Sequence, residues 1–141
     1  MIKVLLADDH ALLRGSLKQL LDDTGFVEVV AQAGEYSEIM KAMNAHPVDL
    51  AILDISMPGK NGVDIVKILK DKYPALKILM LSMHPEDQYA VRCLKAGASG
   101  YLTKNTAPEK LVDAIQVIAA GRKYITPELA ESLASHLTED S

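Results

Sequence analysis

Five polar side chains follow short apolar segments at the points where those segments end. Asp8 and Asp9 come directly after the first segment, and Asp54, Ser82 and Lys104 follow three later ones. Because ligands of open parallel sheets bind at the carboxyl ends of the strands, these side chains should converge on one pocket. That pocket would contain three carboxylates, a hydroxyl and an ammonium group.

Three carboxylates in one pocket call for a cation. Two carboxylates about 4 Å apart repel by roughly 4 kcal/mol at an effective dielectric of about 20. Mg²⁺ is the predicted cofactor, because it prefers oxygen ligands and is usually held by one or two carboxylates, here Asp9 and Asp54, together with substrate phosphate. Asp54 could attack phosphorus and form an aspartyl phosphate. Lys104 and Ser82 would stabilise the charge on the phosphoryl oxygens.

Each residue of this set also has a purely structural explanation. Asp9 or His10 could cap the first helix, Ser82 could begin a turn, and Lys104 could be a solvated loop residue. Capping alone would scatter the carboxylates, whereas this sequence gathers them at the ends of several strands. Their joint position therefore favours the functional interpretation.

Nearly continuous runs of Val, Ile and Leu alternate with segments of helical spacing. The runs lie at residues 2–7, 27–31, 50–53 and 78–81, with a weaker one at 100–102. Continuous runs indicate strands buried on both faces, and the segments between them indicate helices with one apolar face. This pattern predicts an α/β fold, a doubly wound parallel sheet of five strands with helices on both faces. Thr106 and Glu109 form a predicted capping box for the fifth helix.

The composition is that of an ordinary globular protein, with 49% hydrophobic and 24% charged residues. The net charge of −4 opposes direct binding to nucleic acid. Cys93 is the only cysteine, which excludes an internal disulfide, fits a reducing compartment and predicts a small buried side chain. The apolar run at residues 4–7 is too short for a signal sequence or a membrane span, so we expect a cytoplasmic protein that does not contact membranes.

Histidines and methionines do not suggest further sites by their positions. No metal-binding spacing is found among the histidines His10, His46 and His136. The methionines fit core packing better than an adaptable binding surface, and this applies to Met40, Met43, Met57 and Met80.

In combination, these motifs resemble the receiver domain of two-component response regulators. They are the acidic pair at residues 8–9 and the segments DISMPGKNGVD, SMH and GYLTK, and the resemblance covers roughly residues 2–121. It implies a CheY-like, flavodoxin-like sheet of strand order 2-1-3-4-5. Asp54 would be the phosphorylated residue. Mg²⁺ would be bound by Asp9, Asp54 and the backbone carbonyl of Ser56, with Asp8 holding it through water.

The same resemblance implies how the phosphoryl group is read. Ser82 and Lys104 would bind it, and Tyr101 would be an aromatic switch that turns inward when Ser82 moves. The sequences Ser-Met-His and Lys-Asn are features of the NarL/FixJ, or LuxR-type, branch of the family. Full-length members of that branch are transcription regulators that carry a helix-turn-helix DNA-binding domain.

The resemblance also predicts the domain organisation and the partners. Residues 1–121 would be the receiver domain, and residues 122–141 a linker with a short helix begun by Thr126 and Pro127. The DNA-binding domain would be absent from this chain, so DNA would be bound only through that missing part. The expected partners are a sensor histidine kinase and a second copy in a homodimer formed on phosphorylation.

Three functional classes follow from these residues. In a phosphorylation switch, the phosphoryl group stays on Asp54 and changes a remote interaction face, so the protein is not a turnover enzyme. A small Mg²⁺-dependent phosphatase or phosphotransferase would need a general acid and a deep cleft, which so short a chain does not clearly offer. A docking module that is never phosphorylated would leave the repelling acidic pocket unexplained. The switch is the prediction.

Overall fold

Strands and helices alternate along the chain, as the apolar pattern predicts. The computed structural model describes residues 1–55, 57, 59–82, 87–104 and 108–139. The elements are β1 (Ile2–Ala7), α1 (Ala11–Asp22), β2 (Val27–Ala33), α2 (Tyr36–Ala45), β3 (Leu50–Asp54), α3 (Gly62–Lys72), β4 (Lys77–Ser82), α4 (Asp87–Ala96), β5 (Gly100–Thr103), α5 (Pro108–Ala119) and α6 (Pro127–Glu139). Thr106 of the predicted capping box lies outside the described residues.

The strands form one parallel sheet in the order β2-β1-β3-β4-β5. The predicted doubly wound sheet and its strand order are therefore confirmed. The chain adds β2 on one side of β1 and then adds β3 on the other side, so the strand order reverses between β1 and β3. A crevice forms at the carboxyl ends of strands where such a reversal occurs. Asp8 and Asp54 lie at this point.

Apolar side chains cover both faces of the sheet. Val4 and Leu6 of β1 pack on the face covered by α1 and α5, where Ile115 is fully buried. Leu5 points to the opposite face and packs in the layer that contains Val66 of α3. Burying one such side chain contributes about 1.5–3 kcal/mol. The two layers hold the strand ends in fixed relative positions, and the polar residues at those ends depend on this.

The segment after α5 returns to the sheet. The Tyr124 N–H donates to the Ser99 carbonyl oxygen at 2.9 Å, and Tyr124 forms a bridge with Gly100. A Cβ at Gly100 would lie 2.8 Å from the Tyr124 carbonyl oxygen, so this approach requires glycine. Thr126 Oγ1 accepts a hydrogen bond from the Leu129 N–H at 3.2 Å, which confirms the predicted start of α6.

Helix α6 packs against α4, and Leu129 is buried in the same layer as α4. The segment is therefore docked on the sheet layer, and the division of the chain at residue 121 stays a prediction.

The predicted core residues are found in the core. Met43, Met57 and Met80 are buried, and Met40 packs against them. Cys93 is fully buried, and burial raises the pKa of its thiol to about 12, which makes it a poor nucleophile. Among the described residues, the longest apolar stretches within helices fall short of what a membrane span needs.

Candidate functional site

Four polar side chains meet at the carboxyl edge of the sheet. Asp54 ends β3 and is 1% exposed, and Asp8 follows β1 and is fully buried. Ser82 ends β4 and is buried as well, and the register places it opposite Thr103 of β5. Lys104 comes next along the chain, where its N–H donates to the Ser82 carbonyl oxygen at 2.6 Å. The predicted convergence of these residues is therefore observed.

Lys104 joins the carboxylates of two different strand ends. Its Nζ donates to Asp54 Oδ2 at 2.8 Å and lies 2.9 Å from Asp8 Oδ2, and its side chain is 3% exposed. Burial alone lowers the pKa of Lys104, but the hydrogen bonds and charges of Asp54 and Asp8 outweigh it and hold the pKa above its usual value. Lys104 is thus a charged group and not a solvated loop residue.

Asp8 is fixed in place by backbone and side-chain bonds. Its N–H donates to the Ala33 carbonyl oxygen at 2.9 Å, and its carbonyl oxygen accepts a hydrogen bond from the Arg14 guanidinium. Arg14 Nε also donates to Gln32 Oε1 at 3.2 Å. The acidic turn after β1 is therefore held rigidly between α1 and β2. This role of Arg14 could not be predicted from the sequence, since one arginine on a helix is ordinary.

His10 lies in the acidic pocket, although its spacing in the sequence suggested no metal site. Its ring Nδ1 is 3.1 Å from Asp9 Oδ1, 3.2 Å from Asp8 Oδ1 and 3.5 Å from Lys104 Nζ. The histidines show no metal-binding spacing in the sequence, and the structure adds that the His10 ring lies beside the carboxylates of Asp8 and Asp9. Sequence spacing could not reveal that Asp54 joins this cluster, because Asp54 ends β3 whereas Asp8, Asp9 and His10 are consecutive residues after β1.

The site has the groups that a divalent cation requires. Asp8, Asp9, His10 and Asp54 each present a ligand atom, and these atoms lie within 4.8 Å of one another. Asp8 Oδ2 is buried, and the Lys104 ammonium at 2.9 Å is its counter-charge. The carboxylates also outnumber the single Lys104 ammonium. Since buried carboxylates without enough counter-charge are costly, the donor set fits a hard cation.

The turn between β3 and α3 directly follows Asp54 in the chain. Asn61 caps α3 by accepting a hydrogen bond from the Asp64 N–H at 2.9 Å. Gly59 has φ +106°, and a Cβ there would lie 3.1 Å from Tyr36 Cβ. Ser56, whose carbonyl is a predicted metal ligand, lies outside the described residues. The same is true of Pro58, Met83, His84 and Asn105.

Tyr101 connects this edge with the α4 side of the sheet. It lies on β5, is 6% exposed and packs in the layer that also contains Val91 of α4 and Leu129 of α6. Its ring is therefore inward in this structure. Ser82 lies at the end of the neighbouring strand β4, opposite Thr103 of β5. A movement at the end of β4 would therefore take place on the strand next to Tyr101.

Comparison with known proteins identifies a family. The response regulator receiver domain matches residues 4–116. The response regulator UvrY of Escherichia coli O6:H1 (strain CFT073) is 36% identical over 134 residues, which are 95% of this chain and 62% of that protein. The response regulator GacA of Pseudomonas syringae pv. syringae (strain B728a) is also 36% identical, over 95% of this chain and 63% of its own length. The chain therefore spans less than two thirds of these relatives.

Solved structures agree with this fold. A two-component response regulator of the LuxR family from Aurantimonas sp. SI85-9A1 superimposes with a TM-score of 0.87 at 31% identity, covering 96% of this chain and 97% of that one. The signal receiver domain of NarL from Mycobacterium tuberculosis gives a TM-score of 0.81 at 30% identity, covering 86% and 98%. Both resemblances extend over nearly the whole of the compared chains.

Proposed function

We propose that Asp54 accepts a phosphoryl group from a sensor histidine kinase, with Mg²⁺ as the cofactor. The basis is that this chain belongs to the response regulator receiver domain family and to its NarL/FixJ branch. The chain would be the phosphoacceptor part of a longer transcription regulator. Residues 1–121 would form the receiver domain and residues 122–141 the linker to a DNA-binding domain. DNA would be bound only through that further domain.

The observation that supports this proposal best is the contact between Lys104 and Asp54. The ammonium holds Asp54 Oδ2 at 2.8 Å, which orients the carboxylate and supplies a cation beside the place where charge develops. An Asp54 oxygen would attack the phosphorus of a phosphohistidine, the new O–P bond would form, and the P–N bond would break. The departing imidazole would take its proton from solvent.

Other residues of the pocket have supporting roles in the proposal. Asp9, Asp54 and the Ser56 carbonyl would be the ligands of Mg²⁺, and Asp8 would hold it through water. When bound, Mg²⁺ would neutralise the carboxylates and the developing charge on the phosphoryl oxygens. Ser82 would donate its hydroxyl hydrogen to a phosphoryl oxygen.

The product would act as a signal because it stays on the protein. A phosphoryl group adds nearly two negative charges, which Lys104 and Ser82 would bind. The displacement of Ser82 would change the position of the Tyr101 ring, which packs in the same layer as α4 and α6. A homodimer formed on phosphorylation would be one consequence of this change. The proposal therefore describes a switch and not a turnover enzyme.

The kinase would approach from the side of α1. A groove with a volume of about 320 Å³ lies between α1 and α5, and its lining includes Leu13, Leu17, Leu111 and Lys104. Leu12 lies nearby on α1 and is 86% exposed. An apolar helix of the kinase in this groove would bring its phosphohistidine to the edge of the sheet where Asp54 lies.

Intact mass after incubation with acetyl phosphate tests the proposal. Wild type should gain roughly 80 Da in the presence of Mg²⁺ and not in the presence of a chelator. Asp54→Ala should gain nothing, and Asp71→Ala, which removes an exposed carboxylate of α3, should behave as wild type. Labelling of Asp54→Ala would refute the assignment. If wild type remains unlabelled even with a partner kinase, a docking module without phosphorylation becomes the better explanation.

A further inference from the structure

The turn that follows Asp54 is held by a tyrosine from each of the two helices beside it. Gly59 lies against Tyr36 of α2, where a Cβ on the glycine would be 3.1 Å from the tyrosine Cβ. At the other end of the turn, the Gly62 N–H donates to Tyr89 Oη of α4 at 3.1 Å. A hydrogen bond between residues 27 positions apart therefore links the turn to α4.

The Gly62 amide is one that its own helix cannot satisfy. Gly62 is the first residue of α3, so its N–H has no carbonyl partner within the helix. The cap residue Asn61 accepts a hydrogen bond from the Asp64 N–H instead. The Tyr89 hydroxyl thus completes the capping of α3 from a neighbouring helix.

Gly62 also lies against the backbone that continues from the proposed phosphoacceptor. A Cβ at Gly62 would lie 3.4 Å from Ile55 Cα and 3.1 Å from Met80 Cε. Ile55 directly follows Asp54, and its N–H donates to the Leu81 carbonyl oxygen at 3.0 Å. Because the start of α3 and the backbone after Asp54 are in close contact, a displacement of one displaces the other.

The position of the Tyr89 hydroxyl is set by α4 and not by the turn. The Tyr89 ring is half-buried and packs against the core layer that contains Val91. The Arg92 guanidinium lies 5.9 Å from the centroid of the ring. The ring is therefore held on α4, and its hydroxyl is a fixed acceptor to which the turn is bound.

We propose that Tyr89 is a positioning residue for cation binding beside Asp54: its hydroxyl keeps the turn after Asp54 in the arrangement that takes up Mg²⁺. The inference rests on the proposed function, in which the Ser56 carbonyl of this turn is a ligand of Mg²⁺. A turn that is held before Mg²⁺ arrives binds it more tightly, because less conformational freedom is lost on binding. Asp9 and Lys104 follow other strands and do not depend on Tyr89.

The Mg²⁺ dependence of stability tests this inference without any phosphorylation. Urea unfolding of wild type, Tyr89→Phe and Tyr73→Phe is followed over a range of Mg²⁺ concentrations. Tyr73→Phe is the matched control, because it removes a hydroxyl that bonds to Asn44 at the opposite end of α3. Tyr89→Phe should need roughly two- to fivefold more Mg²⁺ than wild type for the same stabilisation. Tyr73→Phe should need as much as wild type, and an unchanged Mg²⁺ dependence in Tyr89→Phe would overturn the inference.

The rate of labelling by acetyl phosphate separates positioning from a general loss of structure. In Tyr89→Phe the Mg²⁺ concentration that gives the half-maximal rate should rise by the same factor. The rate at saturating Mg²⁺ should stay within about twofold of wild type, because the bound ion then holds the turn itself. A lower saturating rate with unchanged Mg²⁺ dependence would count against the inference, as would an equal effect in Tyr73→Phe.

Failure of this inference can be distinguished from failure of the proposed function. If Tyr89→Phe is labelled with the same Mg²⁺ dependence as wild type, only the role of Tyr89 fails. If Mg²⁺ stabilises wild type but Asp54 is never labelled, the phosphoacceptor assignment fails while the comparison of Mg²⁺ dependence stands. If Mg²⁺ does not stabilise wild type, the proposed cofactor and the role of Tyr89 both fail.

Discussion

Lys104 and Asp54 form a buried ion pair between strand ends that lie fifty residues apart in the sequence, with Nζ 2.8 Å from Oδ2. The same ammonium lies 2.9 Å from Asp8 Oδ2, so the Lys104 side chain contacts carboxylates at the ends of both β1 and β3. Both strands are interior strands of the sheet, and their positions are fixed by packing on both faces. The structure thus keeps a positive charge beside the proposed phosphoacceptor before any ligand arrives.

Lys104→Met should destabilise the metal-free protein strongly. It removes the cation but leaves Asp8 and Asp54 buried, and breaking a buried pair in this way costs about 3 kcal/mol. Chemical unfolding in urea measures the loss. Adding Mg²⁺ should reduce the deficit, because the metal would then neutralise the carboxylates.

Lys18→Met is the matched control for that variant. Lys18 pairs with Asp22 at 2.6 Å, but the two side chains are 41% and 33% exposed. Because exposed pairs along a helix contribute little, its loss should cost less than about 1 kcal/mol and should not respond to Mg²⁺. Equal losses for the two variants would contradict a special role for the Lys104 pair.

Leu129→Ala should show that α6 is docked on the rest of the chain. Leu129 is 4% exposed against the layer that contains Tyr101, so truncation should lower the free energy of unfolding by about 2 kcal/mol. Leu12→Ala makes the same chemical change at a side chain that is 86% exposed and should cost less than about 0.5 kcal/mol. If both variants unfold like wild type, α6 separates from the sheet layer before the rest unfolds.

Asp22 gives a stability effect with a definite pH dependence. The hydrogen bond from Lys18, the backbone hydrogen bond from Val29 and the Lys18 charge together lower the pKa of Asp22 below 3.8. A lowered pKa means that the contribution is present above pH 3.8 and is lost as pH falls through the folded value. Wild type should therefore be more stable than Asp22→Asn at neutral pH, and the gap should narrow below pH 3.8. A gap that does not change with pH in urea unfolding would contradict this account.

Tyr89→Phe should loosen the start of α3. The Gly62 N–H, an amide of the first helical turn, donates to Tyr89 Oη of α4 at 3.1 Å. Losing a hydrogen bond of about 1 kcal/mol should speed hydrogen exchange at the Gly62 amide by roughly fivefold. Tyr73→Phe, which removes a hydroxyl bonded to Asn44, is the control and should leave that amide unchanged. Unaltered exchange in Tyr89→Phe would show that this hydrogen bond does not protect Gly62.

Much of the fold could be predicted because its signals are local. A continuous apolar run such as residues 50–53 indicates a strand that is buried on both faces. Apolar residues at helical spacing indicate that the segments between the runs are helices. In a parallel sheet the carboxyl ends of the strands share one edge. Placing Asp8, Asp54, Ser82 and Lys104 at strand ends was therefore enough to predict that they converge.

Pairwise contacts could not be predicted in the same way. His10 directly follows Asp8 and Asp9, but the sequence did not show that its ring contacts their carboxylates. Nothing in the sequence distinguished Arg14 from other surface arginines. The sequence likewise did not indicate that the Tyr89 hydroxyl accepts a hydrogen bond from the Gly62 amide. The contacts of Arg14 and Tyr89 depend on where a separate element lies, which an apolar pattern does not report.

The sequence by itself determined the strands, their parallel arrangement and the chemical groups at the active edge, because burial and turn residues act over short stretches of chain. Only the tertiary structure decided that Lys104 contacts both Asp54 and Asp8, that Asp54 lies close to Asp8, Asp9 and His10, and that α6 docks through Leu129. The physical reason is that electrostatic and packing contacts depend on distances of a few ångströms between elements far apart in the chain. Those distances are set by the packing of the whole core.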